Sequence, residues 1–86
     1  MSEQKIGIVS HYFGKIGVAA LEITEGELNV GDTIHLKGHT TDFQQRVDSM
    51  QVEHDSVESA RAGDSIGMKI SERVREHDEV FKVSED

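Results

Sequence analysis

Cysteine, proline and tryptophan are absent from this 86-residue chain, and its aromatic residues are one tyrosine and three phenylalanines. Without cysteine the chain can form no disulfide, no thiolate metal site and no cysteine nucleophile. Because aromatics are few and only 35% of the residues are hydrophobic, the core is expected to be small and mostly aliphatic. The length allows one domain, which we assign to residues 1–86 with an ordered core at about residues 5–83.

Basic clusters and long apolar runs are also missing. Seventeen acids against nine lysines and arginines give a formal net charge of −8, whereas nucleic-acid binding draws most of its affinity from basic clusters. Generic nucleic-acid binding is therefore not expected, and the best basic candidate, Arg73-Val74-Arg75, is interpreted as a solvated turn among acids. No run is long enough to span a bilayer and Met1–Lys5 does not resemble a signal peptide. We expect a cytoplasmic protein without membrane contact.

Two similar tetrapeptides, Gly31–Ile34 and Gly63–Ile66, divide the chain. Each begins with a glycine, which can adopt the positive φ of a tight turn, followed by an aspartate, whose side chain can bond to the backbone of that turn. A hydroxyl residue and a β-branched isoleucine then favour a strand. The predicted structural turn residues are Gly31, Asp32, Arg61, Gly63 and Asp64.

Apolar residues alternate with polar ones in short segments that are separated by turn signals, and no heptad pattern is present. The six predicted strands are Ile6–Phe13, Ile16–Ile23, Thr33–Lys37, Phe43–His54, Ile66–Ile70 and Glu79–Val83. In the fourth strand, Phe43 and Val47 are out of phase with Met50 and Val52, which predicts a one-residue bulge near Asp48-Ser49. Six short strands favour an all-β, closed antiparallel barrel, because closure removes the exposed edges.

Strands that alternate in direction would place three turns at one end of such a barrel: Gly14-Lys15, Gly38–Asp42 and Ser71–Asp78. The opposite end would carry the reversals at Thr24–Val30 and Asp55–Gly63. A barrel this narrow has no room for a ligand inside, so a binding site is expected at one end or on an outer face.

The segments LNVGDTI, at residues 28–34, and ARAGDSIG, at residues 60–67, resemble the two most recognisable stretches of the second domain of translation elongation factor Tu and related factors. The resemblance covers roughly Val9–Val83. It implies a closed six-stranded Greek-key barrel, and it speaks for fold more than for function.

Three further stretches are similar to a narrower group: HYFGKIGVA at residues 11–19, GHTTDF at residues 38–43 and VDSMQVEHDSVESARAGD at residues 47–64. This group comprises short translation elongation factor-like proteins and the small C-terminal barrel of collagenase-like peptidases. Members of the peptidase family are associated with hydroxylation of RNA bases, so the resemblance implies two contexts for one barrel.

The chain departs from the translation factors in two ways. It has no Gly-rich loop ending in Gly-Lys-Ser or Gly-Lys-Thr, so GTP binding by this chain is not expected. Glu22 stands where the factors commonly carry a basic residue, which weakens the expectation that the barrel grips a tRNA end.

Catalytic and metal chemistry find no supporting motif. Ser10 and His11 could be combined with Asp48 or Asp55 as a triad, but no nucleophile-elbow motif or oxyanion loop accompanies them. The five histidines lack a recognised metal-pair spacing and are interpreted as surface residues, with His35 facing solvent from its strand. We therefore predict no catalytic, metal-binding or cofactor-binding residue and no enzymatic activity.

One end of the predicted barrel carries the candidate contact residues for a partner. Tyr12 and Phe13 could form an exposed contact patch or plug the barrel, and the polar turn that follows Gly38 could contribute beside them. The candidate contact residues are Tyr12, Phe13, Lys15, His39, Thr40, Thr41, Asp42 and Phe43.

The main hypothesis for function is a stand-alone, non-catalytic binding module whose partner is a protein or ribonucleoprotein linked to translation. The first alternative is a detached accessory subunit of a collagenase-like peptidase or RNA hydroxylase, docking by the end just described. The second alternative is a weak RNA-binding barrel, for which binding should depend steeply on salt.

Overall fold

The computed structural model describes residues 2–84, so Met1, Glu85 and Asp86 of the predicted domain lie outside the described residues. The ten strands in this range are β1 (Ser2–Phe13), β2 (Val18–Ile23), β3 (Glu27–Asn29), β4 (Thr33–Lys37), β5 (Asp42–Arg46), β6 (Met50–Val52), β7 (Asp55–Val57), β8 (Ser59–Arg61), β9 (Ser65–Lys69) and β10 (Glu79–Ser84). In this part of the chain no helix is long and apolar enough to cross a membrane.

Eight strands form one sheet in the order β5-β4-β10-β1-β2-β9-β6-β7, and β3 pairs with β8 in a second, two-stranded sheet. Every pairing is antiparallel. The predicted all-β antiparallel class is confirmed. The closed six-stranded ladder is not what residues 2–84 form, because the larger sheet ends at β5 on one side and at β7 on the other.

The predicted fourth strand accounts for part of this difference, because it is interrupted and not merely bulged. Val47 leaves the sheet after β5 and pairs with the turn that precedes β4: its N–H donates to Asp32 O at 2.8 Å, and its carbonyl accepts Gly31 N–H at 2.8 Å. Val47 and Met50 are nevertheless both buried. The interruption thus achieves the change of phase for which a bulge was predicted.

A side chain bridges the gap that the open ladder leaves. The amide of Gln45, on edge strand β5, donates to Lys69 O at 2.9 Å and accepts Ser71 N–H at 2.8 Å. These are bonds to two alternate residues of the β9 end, as a neighbouring strand would make. The sheet therefore curls far enough for one glutamine to join β5 to β9 without a backbone ladder.

The core is aliphatic, as predicted. Ile34 and Leu36 of β4 are fully buried, and the alternating residues Ile66 and Met68 of β9 and Ile70, which directly follows it, are buried too. The other buried apolar residues are Ile6, Val9, Ala19, Leu21, Ile23, Leu28, Val47, Met50, Ala60, Val74 and Val80. Burial of this apolar surface is the main source of stability in a domain without disulfides.

Two buried valines were not anticipated from the sequence. In β10 the core residue is Val80, while Phe81 and Val83 are only half-buried. Val74 is buried within the segment 71–78, which the sequence marks as polar. Ile16, in contrast, was predicted to lie in a strand but is exposed. It lies in the turn before β2, and its exposed fraction is 66%.

Three turns share one hydrogen-bonding pattern, in which an aspartate carboxylate accepts the backbone N–H of the residue three positions earlier. The pairs are Asn29 N–H to Asp32 at 2.8 Å, Arg61 N–H to Asp64 at 3.0 Å and Arg75 N–H to Asp78 at 2.9 Å. In each pair the aspartate N–H donates back to the carbonyl of that earlier residue, at 3.0, 2.9 and 3.1 Å respectively.

The residue before each aspartate has a positive φ, as a type II turn requires at its third position. Gly31 and Gly63 have φ of 99°, and His77 has φ of 75°. Sequence reasoning found the two turns that contain glycine and missed the third, because histidine stands where the pattern has glycine.

Replacing Gln45 with alanine should lower the free energy of unfolding by about 1–2 kcal/mol, because two hydrogen bonds across the gap are lost. Urea unfolding measures this loss, and amide exchange at Ser71 should accelerate. Gln44→Ala, at an exposed neighbouring position of β5, is the matched control and should change stability by less than about 0.5 kcal/mol. Equal effects from the two variants would contradict the assigned role of Gln45.

His77→Gly should raise the free energy of unfolding by about 0.5–1 kcal/mol, since relief of a left-handed side chain exceeds the entropy cost of an added glycine. Gly63→Ala is the reciprocal variant and should destabilise the fold, because its φ of 99° is unfavourable for alanine. No atom lies within 4 Å of the Cβ that alanine would add, so a steric clash does not contribute. Thermal and urea unfolding of both variants provide the measurement. A destabilised His77→Gly would show that the imidazole contributes more than its backbone strain costs.

Candidate functional site

One end of the larger sheet gathers three turns, which we call the hairpin end: residues 12–17, 38–43 and 71–78. The antiparallel pairings place these turns together, as the alternation of strands predicts. Strand β1 extends past the start of β10, because Ile8 is paired with Glu79. Beyond that point residues 77 and 78 border β1: Val9 N–H donates to Asp78 O, and His77 N–H donates to Val9 O, both at 2.8 Å.

The tip of the β1–β2 hairpin exposes apolar side chains. Phe13 is 45% exposed and Ile16 is 66% exposed, whereas Tyr12 is half-buried and packs against the core. The interpretation of Phe13 as a barrel plug is therefore wrong, and Tyr12 provides that contact. Ile16 was missed because its sequence context is apolar; the signal that it belongs to a turn is Gly17, which has φ of 65°.

The segment 71–78 forms the second part of the hairpin end. Val74 is buried with 1% exposure, and the residues on either side of it, Arg73 and Arg75, are exposed. Together with Tyr12 and Glu76, these three residues line an open groove of about 400 Å³. The sequence interpretation of a solvated turn agrees with the exposed arginines but did not anticipate the buried valine between them.

The third part of the hairpin end, residues 38–43, is more structural than predicted. Thr41 is buried with 4% exposure, and its carbonyl accepts Gly38 N–H at 2.7 Å. Phe43 is half-buried against the core. Of the residues predicted for contact in this part, His39, Thr40 and Asp42 are exposed.

The two groups of predicted contact residues share an end but do not form one surface. Strand β10 lies between β1 and β4 in the sheet, and the groove beside Tyr12 is lined by residues of 73–76 and by none of 38–43. The structure therefore brings Tyr12 to the arginine-bearing segment, and it separates Tyr12 from the turn at His39.

The predicted turn residues lie near the opposite end and stabilise the backbone. Besides closing its turn, the Asp32 carboxylate forms an ion pair with Lys82, whose Nζ lies 3.3 Å from it. Arg61 acts through its backbone N–H, which bonds to Asp64. The ion pairs formed among residues 2–84 do not include the guanidinium of Arg61.

The residues considered for a triad are engaged elsewhere. The Ser10 hydroxyl donates to Ala20 O at 3.1 Å, and His11 Nδ1 lies 3.5 Å from a carboxylate oxygen of Glu76. Within the described part of the chain no group of three or more histidines and acids is placed to hold a metal ion. The exposed side chains of this end include the apolar Phe13 and Ile16 and the cationic Arg73 and Arg75, which suit contact with a partner, beside the acids Asp42, Glu72 and Glu76.

His35 contacts two carboxylates, and the expectation that it faces solvent is wrong. Its side chain is 13% exposed, and Nδ1 lies 2.9 Å from a carboxylate oxygen of Glu3. Its Nε2 makes a short contact with the carboxylate of Asp42. Both bonds favour the imidazolium form, Asp42 more strongly, so the pKa of His35 is raised above 6.5. The same contact with His35 lowers the pKa of Asp42.

Protonated His35 should stabilise the fold, with the full contribution present below its unfolded pKa of 6.5 and lost as pH rises through the raised folded pKa. The free energy of unfolding should therefore fall above about pH 6.5, and His35→Gln should remove that part of the slope. Asp42 acts in the other direction: its contribution is present above the ordinary aspartate pKa and is lost as pH falls through the lowered value.

Urea unfolding measured on both sides of pH 6.5 gives the slope assigned to His35, and NMR titration of the His35 ring follows its protonation directly. Urea unfolding under acidic conditions, below the ordinary aspartate pKa, measures the contribution of Asp42. If His35→Gln kept the wild-type slope above pH 6.5, the linkage would be wrong.

No protein-family model matches the chain. Among curated proteins, an uncharacterized protease of Methanocaldococcus jannaschii is 39% identical over 82 residues, which cover 94% of this chain and 20% of that protease. A collagenase of Porphyromonas gingivalis is 39% identical over 72 residues, covering 83% of this chain and 20% of the collagenase. The chain thus spans about a fifth of the length of the curated relatives that it matches.

Two solved structures share the fold. The crystal structure of the C-terminal domain of a Geobacillus thermoleovorans protein assigned to the U32 peptidases has a TM-score of 0.87 and 18% identity, covering 94% of this chain and 93% of that domain. Its selenomethionine variant has a TM-score of 0.83, with coverage of 90% and 96%. The similarity to a collagenase-like C-terminal domain is supported, while the likeness to elongation factor Tu stays a prediction.

Proposed function

We propose that this chain is a non-catalytic accessory domain of a U32-peptidase-type enzyme, and that it docks onto the rest of that enzyme through the hairpin end. The observation that carries the proposal is the mismatch of coverage: 94% of this chain aligns with only 20% of a protease. A segment of that size, sharing its fold with a separately folded C-terminal domain, is an appendage to the larger part of the relatives. The comparisons favour this alternative over the translation partner.

The local chemistry supports a non-catalytic role. Ser10 and His11 are separated functionally, since one bonds to a backbone carbonyl and the other to Glu76. The groove beside Tyr12 is open to solvent and is lined by two arginines, a valine and a glutamate, without a nucleophile beside a base. The bond-making residues are therefore assigned to the four-fifths of the relatives that this chain does not match.

The exposed side chains support docking at the hairpin end. Phe13 and Ile16 are two of the three large hydrophobic residues exposed on the described chain. Both belong to a hairpin whose Gly17 carbonyl accepts Ile70 N–H at 2.9 Å. A projecting apolar tip held by a rigid neighbour is the kind of element that supplies the central contact of a protein interface.

Site-specific photocrosslinking tests this function. A photoreactive phenylalanine analogue placed at Phe13 or Ile16 should crosslink, in cells that express the chain naturally, to a U32-peptidase-type enzyme body, whether or not that body belongs to the same polypeptide. The matched control carries the analogue at Glu53, in the β6–β7 hairpin away from the hairpin end. Mass spectrometry identifies the products.

Crosslinks from residues 13 and 16 to ribosomal or translation proteins would restore the translation hypothesis and overturn this one. Crosslinks to an enzyme body from position 53 alone would refute the docking surface while retaining the accessory role.

A further inference from the structure

Packing and hydrogen bonds hold the backbone on either side of the two arginines of segment 71–78. Val74, which separates them, is buried in the core. Beyond Arg75, the turn is closed by Arg75 N–H to the Asp78 carboxylate at 2.9 Å and by Asp78 N–H to Arg75 O at 3.1 Å. Their backbone is thereby anchored on both sides, which lowers the entropy lost when a ligand binds.

The charges of these arginines are not neutralised within the described structure. The ion pairs among residues 2–84 join other residues, and neither Arg73 nor Arg75 takes part. Of the two acids that flank them in the chain, Glu72 takes part in none of these ion pairs, and Glu76 has a carboxylate oxygen 3.5 Å from His11 Nδ1. Two guanidinium groups thus face solvent on a chain whose net charge is −8.

Apolar contact area adjoins the two cations. Glu76 borders the arginine groove and also contacts His11, whose ring centroid lies 4.4 Å from that of Phe13. The exposed Ile16 belongs to the same hairpin tip. A continuous path of contacts therefore runs from the arginine groove to the apolar tip.

We propose that the hairpin end recognises an acidic polypeptide segment that carries a large apolar residue. Its carboxylates pair with Arg73 and Arg75, and its apolar side chain packs on Phe13 and Ile16. Arginine suits this role because its planar fork binds a carboxylate through two hydrogen bonds. The inference rests on the proposed function, for which it names the chemistry of the docking partner.

A protein segment fits these observations better than a nucleic acid does. A phosphate backbone presents negative charge along its whole length and would meet the repulsion of a chain with net charge −8. A short acidic segment carries far fewer charges, of which two pair with the arginines, and it places its apolar residue on the tip. Binding should therefore weaken with added salt without being abolished, since the apolar contact persists.

The test uses hexapeptides with blocked termini, EEFDEL as the acidic apolar probe and KKFSKL as its basic counterpart, together with a uridine decanucleotide. Amide chemical shifts of the isotope-labelled chain report the binding site. EEFDEL should shift residues 12–17 and 73–76 selectively, and KKFSKL should not.

The double variant R73S/R75S should weaken EEFDEL binding about fivefold or more, as expected for two exposed ion pairs. F13S/I16S should weaken it by a similar factor through loss of apolar contact. The control R46S/R61S removes the same charge from exposed positions outside the hairpin end and should leave the affinity unchanged.

The inference is overturned if EEFDEL shifts no residue of the hairpin end, if R46S/R61S weakens binding as much as R73S/R75S, or if the decanucleotide binds this end more tightly than the peptide. Crosslinking of an enzyme body at Phe13 that R73S/R75S leaves intact would refute this inference alone. Selective EEFDEL binding without any crosslink to an enzyme body would instead refute the proposed function.

Discussion

Closure of a turn by an aspartate is the interaction on which the rest of the structure depends. A small sheet must reverse its chain often, and each reversal leaves backbone N–H groups that need partners. Asp32, Asp64 and Asp78 each supply a carboxylate to the N–H three residues earlier. A charged acceptor forms a stronger hydrogen bond than a neutral one, so a chain without disulfides can hold several sharp turns around an aliphatic core.

The third of these turns links the fold to the proposed docking surface. Asp78 is 6% exposed, and a Cβ on Gly38 would overlap its carboxylate. The turn before β5 therefore packs directly on the turn before β10. Val74 of the same segment is buried in the core, so packing anchors the backbone that carries the two arginines. The hairpin end is thus held together by the packing of two turns that are distant along the chain.

Side chains, and not backbone ladders, hold the remaining edge of the sheet. Gln45 joins β5 to the end of β9, and His35 joins β1 to β5 through Glu3 and Asp42. Both residues connect strands that are not neighbours in the sheet order. An open sheet can in this way enclose one core, because a side chain of its edge strand β5 spans the gap to the end of β9.

Local sequence determined the all-β class, the paired glycine-aspartate turns, the core faces of β4 and β9 and the end at which three turns meet, because period-two alternation and turn chemistry act over a few residues. Tertiary structure alone decided the rest. His77 occupies a glycine-like position in a turn that bonds to Val9 of β1, and Val74 is buried in the core within a mostly exposed segment. His35 meets two acids from separate strands, and Ile16 is exposed because Gly17 turns the chain there. The first three outcomes depend on residues that are distant in sequence, which a local pattern does not encode. Ile16 is the exception, because its turn signal, Gly17, is local and the apolar residues around it obscured that signal.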